Sequence, residues 1–176
     1  MWKGDALFVV PFWKAKINNF KVKKKSIKKV LRTYPEKPTQ LQTFAANRGS
    51  NFVEPFREIF QEELNGFATM IKNHCEITDV WSASYKTGDY HPYHSHGNKG
   101  LSGIIYLTLK DKMPHTVFVN ANPDWVTGHT QYYDMAVNEG DMVIVPSHVG
   151  HFTPHNLSKQ VKKIVAFDLK VVNEEG

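Results

Sequence analysis

The chain has one cysteine, Cys75, among 176 residues. No intrachain disulfide can form, which excludes a disulfide-stapled secreted scaffold and fits a reducing compartment. Long hydrophobic runs are also missing. Nothing approaches the roughly 20 apolar residues that a membrane-spanning helix needs. The apolar stretch from Ala6 to Phe12 is broken by Pro11, with no small-residue cleavage site after it, so it does not read as a signal peptide. A cytoplasmic location without membrane association is the expectation. Acidic residues are scarce in one region only. Residues 1–32 carry ten Lys or Arg against one Asp, whereas the remainder carries twelve against sixteen acids. The lysines over residues 21–29 offer a contact for nucleic acid or another polyanion. No nucleic-acid-binding motif accompanies them, so a solvated basic face is the expected role.

What is present is ordinary for a globular protein: 41% hydrophobic and 22% charged residues. The length suits one domain over residues 1–176, with an N-terminal part over 1–75 and a strand-rich core over 76–172. Leu7 to Val10 reads as a first strand, with Trp13 to Ile17 continuing it past Pro11. The lysine-rich segment reads as helical to about Arg32, and Tyr34 to Gly49 as loop. Asn51 and Glu54 resemble a capping box, followed by Phe56, Ile59, Phe60, Leu64, Phe67, Met70 and Ile71 at helical spacing. From Ile77 onward the pattern changes to strands: Val80 to Lys86, Leu101 to Leu109, Thr116 to Asn120, Met142 to Val145, His151 to Pro154, and Lys162 to Val172. Helices followed by many short strands predict a β-sandwich or barrel with helices packed outside it.

Six of the nine histidines fall in two clusters, at 91–96 and 148–155. Residues two apart on a strand share a face, so His94 and His96 can offer two imidazoles to one ion. The second cluster follows a turn, the buried run from Met142 to Val145, and Pro146-Ser147. Its position after that turn selects His151 over His148 and His155 as the third ligand. His91 and His155 are expected beside the site or exposed, and His74, His115 and His129 on the surface. Trp125 and the segment 129–133 are candidates for shaping a substrate pocket.

The ordered set Tyr85, Gly88, His94-Ser95-His96, Leu101 to Leu107, Gly140, Val143 to Ser147, His151 and Lys162 to Asp168 resembles the 2-oxoglutarate- and Fe(II)-dependent dioxygenases. The likeness is to the prolyl-hydroxylase-like branch of bacteria and phages. It implies a double-stranded β-helix, or jelly roll, and Fe(II), 2-oxoglutarate, O2 and a substrate not readable from the sequence as the reacting set. It implies that His94 and His151 hold the metal and that Tyr106 and Lys162 bind the distal carboxylate of 2-oxoglutarate. Lys163 is the register alternative to Lys162, and Tyr85 a further cosubstrate contact. One position departs from the pattern: His96 stands where an acid is usual. His96 is the favoured third ligand; the other outcomes are a two-histidine site with an exchangeable ligand, or another divalent metal such as zinc or nickel. Two other readings stand beside this one. A cupin-like metal protein without 2-oxoglutarate shares the spacing but lacks the cupin glutamate, and has His148 where that motif has Gly. A non-catalytic β-helix domain would bind a ligand or polyanion through the basic segment.

Overall fold

A computed structural model describes residues 9–41, 43–48 and 52–172. The chain runs β1 (Trp13–Lys16), α1 (Phe20–Leu31), β2 (Lys37–Pro38), β3 (Ala45–Ala46), α2 (Val53–Ile71), β4 (His74–Tyr85) and β5 (His91–His94). It continues with β6 (Leu101–Thr108), β7 (Val117–Val119), β8 (Tyr132–Asp134), β9 (Asp141–Pro146), β10 (His151–Thr153) and β11 (Lys162–Val172). Two antiparallel sheets result: a major one in the order β1-β9-β6-β11-β4-β3-β2, and a minor one in the order β5-β10-β7-β8. This is the jelly roll with outer helices that the sequence predicts.

The central strands explain the layering. On β11, Val165, Phe167 and Leu169 pack towards α2, in one core with Phe56, Phe60 and Phe67. The alternate residue Ile164 packs between the sheets with Tyr85, Tyr106, Phe118 and Val145. Both faces of the strand are buried, so its sequence is a nearly continuous apolar run. Gly103 on β6 lies opposite Phe167. A Cβ there would meet the Phe167 ring at 2.0 Å, so only glycine lets the ring lie flat on the sheet.

The helices differ in detail from expectation. The stripe on α2 buries Phe56, Phe60 and Phe67, but Met70 is exposed. Phe52 occupies the N-cap of α2 and makes no side-chain capping bond; Asn51 lies outside the described residues, as do Leu7 and Phe8 of the first expected strand. The proline-interrupted stretch forms strand only from Trp13 onward. The expected loop from Tyr34 to Gly49 contains the short strands β2 and β3. On α1, Lys23 pairs with Glu63 at 2.7 Å and Lys24 with Glu139 at 2.6 Å. Part of the basic segment therefore fastens α1 to the rest of the fold. Among the described residues no helix is long and apolar enough to cross a membrane.

Candidate metal centre

The minor sheet brings the histidines together. His94, at the end of β5, pairs with His151, at the start of β10. His96 lies beyond the end of β5, so strand alternation does not aim it. Its backbone N–H donates to the Ser147 carbonyl at 2.8 Å, and the Ser147 N–H donates to Gly100 O at 3.1 Å. Gly100 sits at φ +84°, where a Cβ would also strike the Leu169 carbonyl. With this loop fixed, one ring nitrogen from each of His94, His96 and His151 lies within 4.8 Å of the others.

Each ring is oriented through its other nitrogen. His94 Nδ1 lies 2.8 Å from Pro92 O and His151 Nδ1 3.0 Å from Val149 O. His96 Nδ1 lies 2.7 Å from Asp168 Oδ1. In each case an oxygen acceptor favours the Nδ1–H tautomer and leaves Nε2 free to bind a metal. Burial pushes the His94 imidazole below its ordinary pKa and the His151 imidazole down to about 3. Both rings are therefore neutral near pH 7, as metal ligation requires. The donor set fits a divalent transition ion. His91 stacks on His94 at 3.8 Å, lies 4.2 Å from the Phe44 ring, and stays outside the cluster of convergent nitrogens. His148 and His155 are exposed.

Asp168 was not singled out by the sequence. It also accepts from Ser102 Oγ at 2.8 Å and faces Arg48 at 3.7 Å. Arg48 lies over Trp81 at 4.4 Å, and Trp81 stacks on His96 at 5.5 Å. One signal was available: Asp168 is the only acid in the apolar run of β11, at an even spacing from Lys162.

Lys162, at the opposite end of β11, is fully buried, and its Nζ has no hydrogen-bond partner. The ammonium lies 5.2 Å from the Tyr85 ring and 5.8 Å from the Tyr106 ring. Burial pulls its pKa down to about 7, and burial pushes the Tyr106 hydroxyl up to about 12. The Tyr106 hydroxyl is likewise buried without a partner. Two orphaned polar groups side by side fit a carboxylate that they would both hold. Lys163 turns to the other face, where it pairs with Glu36 at 3.0 Å. Between the two ends lies a small cavity lined by Tyr85, Thr116, Ile164 and the three histidines. A larger open groove, of about 830 Å3, runs along the minor sheet past Phe12, Tyr93, Phe118, Asn120, Gln131 and Tyr133. Val145 lines both spaces, and Phe118, on the groove wall, has its ring 5.7 Å from His151. Within the segment 129–133, Gln131 to Tyr133 line the groove; Trp125 does not, and is 93% exposed.

A jelly roll with three convergent imidazoles and an unpartnered buried amine presents a candidate metal centre and a candidate anion site in one barrel. Residues 79–168, about half of the chain, match the 2OG-Fe(II) oxygenase family, and the chain belongs to it. By that family it is a 2-oxoglutarate-dependent dioxygenase that uses Fe(II). Family membership sets aside the cupin-like reading. No curated protein matches it by sequence. Solved structures share the fold at low identity. The viral collagen prolyl hydroxylase vCPH of Paramecium Bursaria Chlorella virus-1 is 12% identical with a TM-score of 0.60, over 92% of this chain and 96% of that one. A prolyl-4-hydroxylase of Pseudomonas putida is 10% identical with a TM-score of 0.63, over 90% of this chain and 92% of that one. The epimerase SnoN of nogalamycin biosynthesis, solved with Fe3+ and alpha ketoglutarate, is 8% identical with a TM-score of 0.71, over 90% of this chain and 78% of that one.

Proposed function

We propose that His94, His96 and His151 hold Fe(II), that Lys162 and Tyr106 hold the distal carboxylate of 2-oxoglutarate, and that the enzyme hydroxylates a C–H bond of a substrate seated in the groove. The observation that carries the reading is the pairing of a three-imidazole cluster with an unpartnered amine inside one barrel. When bound, the metal supplies O2 activation, by which 2-oxoglutarate is oxidised to succinate and CO2 while the second oxygen atom enters the substrate C–H bond. The chain's own part is orientation. The backbone carbonyls of Pro92 and Val149 fix two imidazoles. Lys162 meets the carboxylate where water does not compete, so the charge-assisted bond is strong. Tyr85 closes the same end and takes a packing role against the cosubstrate. Val145, which lines both cavity and groove, and Phe118, on the groove wall beside His151, set how close a substrate carbon comes to the histidines. Lys163, paired with Glu36 on the other face, takes no part.

The test is succinate formation with Fe(II), O2 and 2-oxoglutarate, read beside the thermal shift that 2-oxoglutarate produces in the metal-loaded protein. The wild type is expected to form succinate and to be stabilised by the cosubstrate. His151→Ala is expected to reduce succinate to background while retaining a cooperative melt. A wild type that neither forms succinate nor shifts would overturn the assignment.

A further inference from the structure

We infer that Asp168 is a positioning residue that acts through His96, holding its ring and supplying the negative charge that three neutral imidazoles do not bring to a dication. The inference rests on the three-histidine reading. Among the hydrogen bonds that orient the three rings, two run to neutral carbonyls two residues back in the chain. The third alone runs to a carboxylate, 72 residues away in sequence, and it is the shortest of the set at 2.7 Å. A carboxylate on the far nitrogen of an imidazole raises the basicity of the near one and fixes which of them is free.

The surroundings fit that role better than a generic ion pair. The His96 side chain is only 6% exposed, so its bond to Asp168 is little screened. Ser102 Oγ donates to the same Asp168 oxygen, and Ser102 Oγ lies 3.1 Å from Ser147 Oγ. Ser147 in turn anchors the His96 backbone. One compact network therefore fixes the main chain and the ring of the same residue. Trp81 stacks on the same ring, with centroids 5.5 Å apart. The second Asp168 oxygen faces Arg48 at 3.7 Å, but Arg48 is 59% exposed and is a weak, solvent-screened competitor. Asp168 lies outside the cluster of convergent nitrogens, so it reaches the metal only through the imidazole.

The variant Asp168→Asn keeps the size and an accepting oxygen and removes the charge. Anaerobic titration of the metal-free protein with Fe(II), followed by thermal melting, is expected to show affinity reduced by about 10- to 100-fold. The Fe(III)/Fe(II) midpoint potential is expected to rise, because the lost negative charge stabilised the ferric form more. Arg48→Gln, which removes the other partner of the same carboxylate, is expected to leave the affinity within about threefold of wild type. A residue that only braced the fold would lower the melting temperature of the metal-free protein and leave the potential unchanged. An Asp168→Asn protein with wild-type affinity and potential would overturn the inference. Should that variant fail to fold, the wild-type protein loaded with Zn(II) decides. Proton NMR should show a strongly downfield exchangeable His96 Nδ1 proton, absent in His96→Ala, and its absence from the wild type would also overturn the inference. His96→Ala separates the two readings. If it leaves Fe(II) affinity intact, the three-histidine assignment fails; if it weakens binding while Asp168→Asn does not, only the role of Asp168 fails.

Discussion

The two sheets do different work. The minor sheet consists of strands of three or four residues and carries His94 and His151. The major sheet contains strands of up to twelve residues, backed by α2, and carries Lys162, Tyr85, Tyr106 and Asp168. His94 and His151 sit on the thin sheet and find neutral main-chain acceptors two residues back in the chain. The buried amine of Lys162 and the half-buried carboxylate of Asp168 sit on the thick one. An uncompensated charge or an orphaned amine is costly, and only a strongly packed layer can hold one in place without relaxing around it. The thin sheet is left free to face the groove.

This contrast can be broken from either side. The largest effect is expected from Phe167→Ala, which empties the α2 side of the major sheet. It should cost about 3–5 kcal/mol in chemical denaturation, while the molecules still folded bind Fe(II) as before. Tyr132→Ala on the exposed edge of the minor sheet should change stability by less than about 0.5 kcal/mol. A similar cost for both would erase the distinction.

Lys162→Met comes next. It should weaken 2-oxoglutarate binding by about 10- to 100-fold, as expected for loss of a hydrogen-bonded charge worth about 1.5–3 kcal/mol, and leave Fe(II) affinity unchanged in calorimetry. The same change removes a pH dependence. The folded amine has a pKa lowered by burial from 10.5 to about 7. Between those values the unfolded chain holds a proton that the folded one has released, so wild-type stability rises with pH across that window and is lowest below pH 7. Denaturant melts of Lys162→Met between pH 7 and 10 should show a flatter profile.

The minor sheet should show its own, acid-side window. Burial lowers the His91 and His151 imidazoles from 6.5 to about 3. The unfolded chain takes up protons below pH 6.5 that the folded chain refuses until about pH 3, so metal-free stability should fall progressively between those values. His91→Gln should remove part of that slope, read from urea midpoints at pH 7 and pH 5. The smallest effect is reserved for Lys163→Ala. Its partly exposed pair with Glu36 is worth no more than about 1 kcal/mol, and 2-oxoglutarate binding should be unchanged in the same calorimetric assay.

The parts of the fold that were legible are those where periodicity is unambiguous. The stripe from Phe56 to Ile71 gives α2, and the apolar runs over residues 101–109 and 162–172 give β6 and β11. The strands β5 and β8 were not legible, because three or four residues containing a proline or adjacent tyrosines show no period; non-local pairing makes them strands. The three convergent histidines were readable as two clusters, yet the way His96 reaches the others was not, since it depends on Ser147 and Gly100 rather than on strand alternation. Adjacent Lys162 and Lys163 could not be told apart because both faces of β11 are apolar, and alternation then carries no information. Asp168 escaped for a related reason. Its meaning depends on His96 and Ser102, which come from other parts of the chain.

β11 is also a gauge. Lys162 and Asp168 stand six residues apart on one face of a strand that is paired on both sides, a spacing of about 20 Å at 3.3–3.4 Å per residue. Sliding the strand as a whole would break two ladders. On the proposed assignment the room between amine and metal is then a fixed length, and the enzyme should discriminate among 2-oxo diacids by chain length: the four-carbon homologue would fall short of the amine, and the six-carbon one would have to buckle to fit.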